Sequence, residues 1–374
     1  MRIAPTLAEM ATYPFVRLEE ARRRLVAEGV DVIDFGKGDP NEPTDPIIRE
    51  ALIDAVRERM PYPLAAGLPE LREAAARWCA ARFGVTVDPD TEIVPTYGAK
   101  EAIFSLAQVL VDRRSEKNVV VYGEPAYPVY ERGALFAGAE PRALPLVRER
   151  GFLPDLGSLD ESVAIVWVNF PHNPTGALAP LSFYEELTAA AERYDFVIAS
   201  DEAYTELWFD EPPVSALQVA DRSRVMVFQT LSKRSSMTGY RSGFVAAPAE
   251  IIAALKAYRP SVGTAPQEFV QRASVVAWGD ERHVEETRAR YRAKREVLIP
   301  AIEARGWEVV ASEGTMYLWV AVPDADAVVD TLLERGLLVS PGSFFGASGE
   351  GYIRFALVPT LDECERAATI LAEL

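Results

Sequence analysis

The sequence predicts an α/β fold with a mostly parallel sheet in a large domain and a smaller α+β domain. From about residue 46 to 260, short apolar runs of β type alternate with helical stretches such as 71–83 and 182–194. This alternation is typical of parallel strands joined by crossover helices. The last third of the chain changes character, which indicates a second unit.

That second unit has its own order of elements. A long charged helical stretch at about 280–305 precedes strand-like runs at 307–322 and 351–358, with a short helix between the two runs. The change from a helical to a strand-like period supports an α+β arrangement.

Composition limits the classes of partner. The 374 residues are 49% hydrophobic, which is enough to bury a sizeable core. With 39 basic and 56 acidic residues the formal net charge is −17, so the chain is a poor generic binder of nucleic acid or of an anionic membrane. Anionic ligands can still enter a locally positive site.

Cysteine content and the N-terminal sequence favour a soluble cytoplasmic protein. Cys79 and Cys364 are too few and too far apart in sequence for a disulfide framework or a metal cluster. The first residues lack the apolar core of a signal peptide, and no run approaches the ~20 apolar residues of a membrane span.

A glycine turn between a predicted strand and a predicted helix is the first motif with chemical meaning. Residues 92–97 read as the strand, and Gly98 leads into a helix that begins near Ala99 and Lys100. Free backbone N–H groups and the helix dipole make such a junction a candidate phosphate site, although one glycine is a weak signal.

Three further predicted strands each end in polar side chains. They are the strand 163–168 before Asn173, the strand 196–199 before Asp201 and Tyr204, and the strand 225–228 before Lys233. Ligands bind at the carboxyl edge of open α/β sheets, so we expect these four side chains to meet at that edge.

Lys233 is the most informative of the four. An ammonium at the point where a strand enters a tight turn loses solvation, and Arg241 adds a cationic neighbour. Both effects favour the neutral, nucleophilic amine, which can form a Schiff base. On this segment alone, a surface lysine after a strand is an equally good interpretation.

Together, these motifs and their order resemble the class I and II aminotransferases, which are fold type I enzymes that use pyridoxal phosphate. The resemblance covers almost the whole chain. It implies that Lys233 holds the cofactor as a Schiff base and moves protons in a ping-pong reaction. It also implies that Asp201 pairs with the pyridinium nitrogen, while Asn173 and Tyr204 donate to O3′. A carboxylate there keeps the nitrogen protonated, so the ring can accept electrons.

The resemblance also assigns the remainder of the cofactor pocket. It implies that residues from two segments hold the phosphate, namely Gly98, Ala99 and Lys100 on one side and Thr230, Ser232 and Arg241 on the other. Tyr127 resembles the aromatic residue that lies flat on the pyridine ring. Without the match, Tyr127 would read as core packing.

Tyr62 resembles the family tyrosine that reaches the phosphate in the neighbouring subunit. The resemblance therefore implies a homodimer, although a lone Tyr-Pro is otherwise an ordinary loop. It further implies three regions, which are an N-terminal arm with part of the small domain (1–45), a large pyridoxal phosphate-binding domain (46–260) and a C-terminal small domain (261–374).

Two segments resemble the site of the substrate carboxylate. In the run 351–357 a guanidinium stands among apolar residues, which is costly unless an anion meets it. Arg354 thus resembles the arginine that grips the α-carboxylate, and Gly38 the glycine whose backbone lies against it. The alternative interpretation of Arg354, a buried arginine paired with a protein carboxylate, remains open. We hypothesise that Lys37 receives a distal carboxylate, with a solvated lysine as the alternative.

Four segments are similar to succinyldiaminopimelate aminotransferases of lysine biosynthesis: 98–104, 231–236, 315–319 and 341–346. This implies transfer between glutamate or 2-oxoglutarate and N-succinyl-2-amino-6-ketopimelate. LL-diaminopimelate, aspartate and aromatic aminotransferases remain alternatives, as does an aminotransferase of a specialised pathway. A C–S β-lyase with the same cofactor and a regulatory binding protein built on this domain are the rivals from other classes.

The sequence contains only two histidines, which argues against a catalytic histidine. His172 precedes Asn173 and is a candidate to line the site. His283 lies in the charged stretch 280–286, so we expect it to be a solvated helix residue.

Overall fold

The structure is a computed structural model that describes residues 2–8 and 14–374. Its strands are β1 (Ile33–Asp34), β2 (Ile93–Thr96), β3 (Val119–Glu124), β4 (Glu140–Pro145), β5 (Val163–Asn169), β6 (Val197–Asp201), β7 (Val225–Thr230), β8 (Gly243–Ala246), β9 (Glu308–Val309), β10 (Tyr317–Ala321), β11 (Leu337–Leu338), β12 (Ser340–Pro341) and β13 (Tyr352–Ala356). Its α-helices are α1 (Pro5–Ala8), α2 (Pro14–Ala27), α3 (Pro46–Ala55), α4 (Pro69–Phe83), α5 (Ala99–Leu110), α6 (Val129–Ala137), α7 (Leu181–Tyr194), α8 (Leu231–Arg234), α9 (Ala249–Val262), α10 (Glu268–Gly279), α11 (Arg282–Glu303), α12 (Ala325–Glu334) and α13 (Leu361–Ala372).

A seven-stranded sheet forms the large part of the fold, with the strand order β2-β8-β7-β6-β5-β3-β4. β8 runs antiparallel to β2 and β7, while the other neighbouring pairs are parallel. The predicted α/β class with a mostly parallel sheet is therefore confirmed. The predicted helices 71–83 and 182–194 correspond to α4 and α7.

Both faces of this sheet are buried. In β7, Val225 and Val227 pack into one apolar cluster, whereas Met226 and Phe228 pack into another. Because side chains alternate along a strand, the two clusters lie on opposite faces of the sheet. The continuous apolar sequence of β7 follows from this double burial.

A four-stranded sheet in the C-terminal third has the order β12-β13-β10-β9. The N-terminal segment joins this region through β1, which pairs in parallel with β11. Phe35 N donates to Leu338 O at 2.8 Å, and Ala356 N donates to Phe35 O at 2.8 Å. These bonds place the residues after β1, including Gly38, beside the C-terminal sheet.

Helix α10 lies within the predicted C-terminal domain, 261–374, but it packs against α3 and α4. Its Trp278 ring lies 4.7 Å from the Trp78 ring and 5.0 Å from the Phe244 ring, both in the core of the large sheet. The division at residue 261 stays a prediction, and this packing favours a boundary after α10.

The prediction that His283 is solvated is wrong. The residue is 4% exposed, and its Nδ1 lies 2.6 Å from Asp280 Oδ2. Its Nε2 lies 2.8 Å from Ser235 Oγ. Since Ser235 directly follows α8, the short helix that contains Lys233, these contacts connect the start of α11 to that helix.

Candidate active site

A cavity of about 480 Å³ lies at the carboxyl ends of β5, β6 and β7. All of the predicted site residues except Gly98 and Tyr62 line it, namely Lys37, Gly38, Ala99, Lys100, Tyr127, Asn173, Asp201, Tyr204, Thr230, Ser232, Lys233, Arg241 and Arg354. The ends of parallel strands thus meet at one edge of the sheet, as the sequence pattern predicts.

Lys233 lies in the short helix α8, directly after β7. Its ammonium donates a hydrogen bond to the carbonyl oxygen of Gly38. Burial lowers the pKa of Lys233 to about 8. The cations Arg354 and Arg241 lower this pKa further, and Asp39 opposes them. The amine is therefore much easier to deprotonate than an exposed lysine.

Asp201 ends β6 as a buried carboxylate with neutral hydrogen-bond donors. Its Oδ2 accepts from the Tyr130 hydroxyl at 2.7 Å, and its Oδ1 accepts from Ala203 N at 3.1 Å. Burial raises the pKa of Asp201 to about 6, although both hydrogen bonds lower it. Among the described residues, no lysine or arginine forms a salt bridge with Asp201. A cationic ring nitrogen would supply the missing charge.

Tyr130 was not predicted as a site residue. Its ring stacks on Trp167 at 5.0 Å, which holds the hydroxyl against Asp201. The sequence signal was available, because Tyr130 follows Tyr127 by three residues in the same aromatic segment.

Two asparagines connect the strand ends to Arg354. Asn169 Nδ2 donates to Asp201 O at 2.7 Å, and Asn173 N donates to Asn169 Oδ1 at 3.0 Å. Arg354 donates from Nη1 to Asn173 Oδ1 and from Nη2 to Gly36 O, each at 3.0 Å. Asn169 was not predicted as a site residue. Its place directly after the predicted strand 163–168 could have indicated it.

Tyr204 contacts a second unpredicted residue, Tyr317. Their hydroxyl oxygens are 2.9 Å apart. The Arg354 Cζ lies 4.1 Å from the centroid of the Tyr317 ring. A Cβ on Gly38 would overlap the Tyr317 hydroxyl, which explains why a glycine is needed at position 38.

The predicted phosphate residues face one another across the start of α5. Gly98 has φ +71°, and a Cβ there would collide with the Arg241 guanidinium. Arg241 Nη1 lies 3.4 Å from Ser232 Oγ, and Ser232 N donates to Thr230 Oγ1 at 3.1 Å. A helix N-terminus opposite an arginine and two hydroxyls suits a phosphate group.

Tyr127 lines the cavity between the phosphate residues and Asp201. Lys100 Nζ lies 5.6 Å from the centroid of the Tyr127 ring, and the Tyr127 and Tyr130 rings are nearly perpendicular with centroids 5.9 Å apart. This location is compatible with an aromatic platform for the cofactor ring.

Besides Gly98, the candidates Tyr62 and His172 do not line the cavity. Tyr62 is 96% exposed, so its contact with a neighbouring subunit stays a prediction. His172 is buried, with Nδ1 2.8 Å from Thr175 Oγ1, and it does not line the cavity that contains Lys233. Burial lowers the pKa of His172 to about 3, which keeps the ring neutral.

Lys37 lines the cavity, and its side chain has a partner within the protein. Its ammonium forms an ion pair with Glu19 of α2. Glu19 also accepts from Arg22 Nη2 at 3.1 Å and from Arg23 Nε at 2.9 Å. Three basic side chains therefore surround the Glu19 carboxylate.

The cavity is positive although the chain carries a net charge of −17. Its cationic lining residues are Lys37, Lys100, Lys233, Arg241 and Arg354, against the acidic Asp39 and Asp201. A ligand with a phosphate, a cationic ring and carboxylates matches this distribution. Pyridoxal phosphate, bound with an amino acid, has all of these groups.

Residues 2–8 and 14–374 offer neither a metal site nor a membrane span. Within these ranges, no group of three or more His, Cys, Asp or Glu side chains is arranged to hold a metal ion. The same ranges contain no helix of the length and apolarity that a bilayer span requires.

Comparisons with known proteins agree with the geometry. The sequence model of the family described as aminotransferase class I and II matches residues 30–371. The chain is 40% identical over 379 residues to the LL-diaminopimelate aminotransferase of Aquifex aeolicus, an alignment that covers 96% of this chain and 97% of that protein. Among solved structures, it is similar to an aminotransferase from Neisseria meningitidis, with a TM-score of 0.92, 36% identity and 99% of both chains covered. It is also similar to a probable N-succinyldiaminopimelate aminotransferase from Thermus thermophilus, with a TM-score of 0.89, 28% identity and coverage of 96% and 99%.

Proposed function

We propose a substrate class for this chain, which belongs to the class I and II aminotransferases and uses pyridoxal 5′-phosphate as its cofactor. It exchanges an amino group between glutamate or 2-oxoglutarate and a substrate of the diaminopimelate kind. LL-diaminopimelate is the first candidate, because the chain is 40% identical to an LL-diaminopimelate aminotransferase. N-succinyl-2-amino-6-ketopimelate, the first choice from the sequence, becomes the second candidate, supported by a structural neighbour.

The main support for this proposal is a pair of cationic side chains in the cavity that are not among the predicted phosphate residues. Arg354 and Lys37 line the same cavity, and Gly38 lies next to Lys37 in the chain. A substrate with carboxylates at both ends can meet both cations. Glutamate and diaminopimelate both have this property.

Proton transfer is assigned to Lys233. When bound, pyridoxal phosphate supplies an electron-accepting ring that stabilises the charge left at the substrate α-carbon. Lys233 removes the α-proton, and its pKa of about 8 makes the neutral amine accessible near neutral pH. The Gly38 carbonyl, which accepts a hydrogen bond from Lys233, keeps the amine beside the backbone that faces the substrate carboxylate.

The other residues hold the reacting groups in place. Asp201 presents its carboxylate to the ring nitrogen, with Tyr130 fixing the orientation. Arg354 binds the substrate α-carboxylate, and Asn173 and Tyr204 donate to O3′. Fixing these groups before the proton moves reduces the entropic part of the barrier.

The test compares amino donors with 2-oxoglutarate as the acceptor, and glutamate formation is measured. LL-diaminopimelate should react with a higher kcat/KM than aspartate, tyrosine or N-succinyl-LL-diaminopimelate. A higher value for the succinylated compound would select the second candidate, and inactivity with both would reject the proposed class. Pyruvate release from a cysteine conjugate without any keto acid would instead favour a β-lyase.

The proposal includes a cytoplasmic homodimer in which Tyr62 reaches the partner's site. The 96% exposure of Tyr62 supports a contact outside its own chain. Light scattering of the purified protein tests the dimer. Cofactor affinity of a Tyr62→Phe variant then tests the contact, because loss of a phosphate donor should weaken binding.

A further inference from the structure

We propose that Tyr317 is a positioning residue that directs the hydroxyl proton of Tyr204 into the cavity. The inference rests on the proposed function, in which Tyr204 donates to O3′ of the cofactor. Tyr317 lies on β10 in the C-terminal sheet, and Tyr204 follows β6 in the large sheet. Their contact therefore joins the two sheets at the site.

The contact decides where the proton of Tyr204 points. The two hydroxyl oxygens are 2.9 Å apart, and both side chains are buried. A phenol has one proton, so a Tyr204 that donates to Tyr317 has none for the cavity. If Tyr317 is the donor, the Tyr204 oxygen accepts and its own proton is available for the ligand.

The surroundings of Tyr317 favour this second arrangement. Across residues 2–8 and 14–374, Tyr204 is the one hydrogen-bond partner of the Tyr317 hydroxyl. Tyr317 also lines the cavity. Once a ligand oxygen accepts from Tyr204, the hydrogen bond between the two phenols persists only with Tyr317 as its donor. A buried donor without an acceptor is costly, so ligand binding fixes the direction of the pair.

The position of Tyr317 is set by the fold. Its ring packs against the Arg354 guanidinium, with 4.1 Å between Cζ and the ring centroid. Its backbone N donates to Thr315 Oγ1 at 3.1 Å. Gly38 provides the space for its hydroxyl, because a Cβ there would overlap it. The phenol thus contacts both the arginine and the glycine assigned to the substrate carboxylate.

Two hydrogen bonds in series polarise each other, so Tyr317 makes Tyr204 a stronger donor. A stronger donor would withdraw electron density from O3′ of the bound cofactor. The acidic proton that the cofactor holds beside O3′ would then be released at lower pH. The midpoint of the pH-dependent absorption change of the bound cofactor therefore reports on Tyr317.

The test is Tyr317→Phe, which removes the hydroxyl and keeps the ring against Arg354. We expect the spectral midpoint of the cofactor-loaded variant to rise by about 0.5 to 1 pH unit, the size expected for one neutral hydrogen bond. The KM for glutamate should change less than about twofold, since contact with the guanidinium remains. Tyr291→Phe is the matched control, because Tyr291 is also buried but its hydroxyl lies 4.0 Å from Met316 Sδ, outside the cavity.

A double-mutant cycle separates positioning from packing. In a Tyr204→Phe background, Tyr317→Phe should produce no further shift of the midpoint. An unchanged midpoint in the single variant, or an equal shift in both backgrounds, would overturn the inference. Neither result affects the proposed function, which would fail instead if the wild-type protein formed no absorption band with pyridoxal phosphate. Thermal unfolding of each variant verifies that the fold is intact.

Discussion

Arg354 Nη1 lies 3.0 Å from Asn173 Oδ1, so the arginine assigned to the substrate holds the asparagine assigned to the cofactor. Because a guanidinium can only donate, the contact defines which end of the Asn173 amide is the oxygen. The Nδ2 group is then left to donate into the cavity, as contact with O3′ requires. The two halves of the site are thus oriented by one hydrogen bond.

Replacing Arg354 with lysine should raise the KM for glutamate roughly 10- to 100-fold, because a lysine cannot provide the bidentate contact. The absorption of the bound cofactor should also change, since Asn173 loses its partner. Steady-state kinetics and a spectrum of the loaded variant test both effects. An Arg290→Lys variant, altered on the exposed face of α11, should match the wild type in both measurements.

Cofactor affinity should fall as the pH drops through about 6. The pKa of Asp201 is raised to about 6 by burial, so below this pH the carboxyl is protonated and loses the charge that attracts the ring nitrogen. Fluorescence titration of the apoprotein between pH 5 and 8 measures the trend. Asp201→Asn should bind weakly at every pH, and the same pH slope in that variant would contradict the assignment.

The rate of covalent cofactor attachment should rise with pH and level off above about 8. Lys233 is mostly protonated below its pKa of about 8, and only the neutral amine attacks an aldehyde. Stopped-flow absorbance after mixing apoprotein with pyridoxal phosphate gives the profile. Lys233→Ala should show neither the covalent phase nor turnover.

Lys37 should affect substrates with a distal carboxylate. Lys37→Met is expected to raise the KM for LL-diaminopimelate roughly threefold to fivefold, with little effect on alanine, which has no second carboxylate. Glu19→Gln should lower the same KM, because the substrate no longer displaces a carboxylate from Lys37. Glu20→Gln, on the exposed side of the same helix, is the control. If the KM for LL-diaminopimelate is unchanged in Lys37→Met, Lys37 has no part in binding.

Glu202 should make the protein less stable as the pH rises from about 4.5 to 7. It is fully buried, and burial raises its pKa to about 7 although Ala216 N, Ser215 Oγ and Gln229 Nε2 donate to it. The folded chain therefore holds a proton that the unfolded chain loses in this window, which costs up to about 3 kcal/mol by pH 7.

Denaturant unfolding of wild type and Glu202→Gln across this window tests the prediction. The variant cannot ionise at this position, so the difference in free energy between the two proteins should grow with pH. A difference that is constant from pH 4.5 to 7 would rule out titration of Glu202.

The sequence predicts the strand ends well because local patterns determine them. Asn173, Asp201 and Lys233 each follow a buried apolar run, and parallel pairing brings the ends of those runs together. Tyr317 could not be found in this way. It is the first residue of an apolar strand in the other sheet, and its contact with Tyr204 spans 113 residues.

His283 shows the opposite failure. Its neighbours in sequence are charged, which is typical of a solvated helix face. Its ring is buried because it meets Ser235, which is 48 residues away in the chain. Long-range partners of this kind leave no local periodicity, so the burial of a single polar residue is the least predictable property here.

The bonds that fix residues 35–38 to the C-terminal sheet have a mechanical consequence. Phe35 bonds to Leu338 and Ala356, and Gly36 O accepts from both Ser340 Oγ and Arg354 Nη2. These bonds attach the segment that leads to Gly38 to the same sheet that carries Arg354. If the C-terminal sheet moves relative to the large sheet during turnover, Gly38 and Arg354 move together, and their distances from Lys233 and Asn173 change.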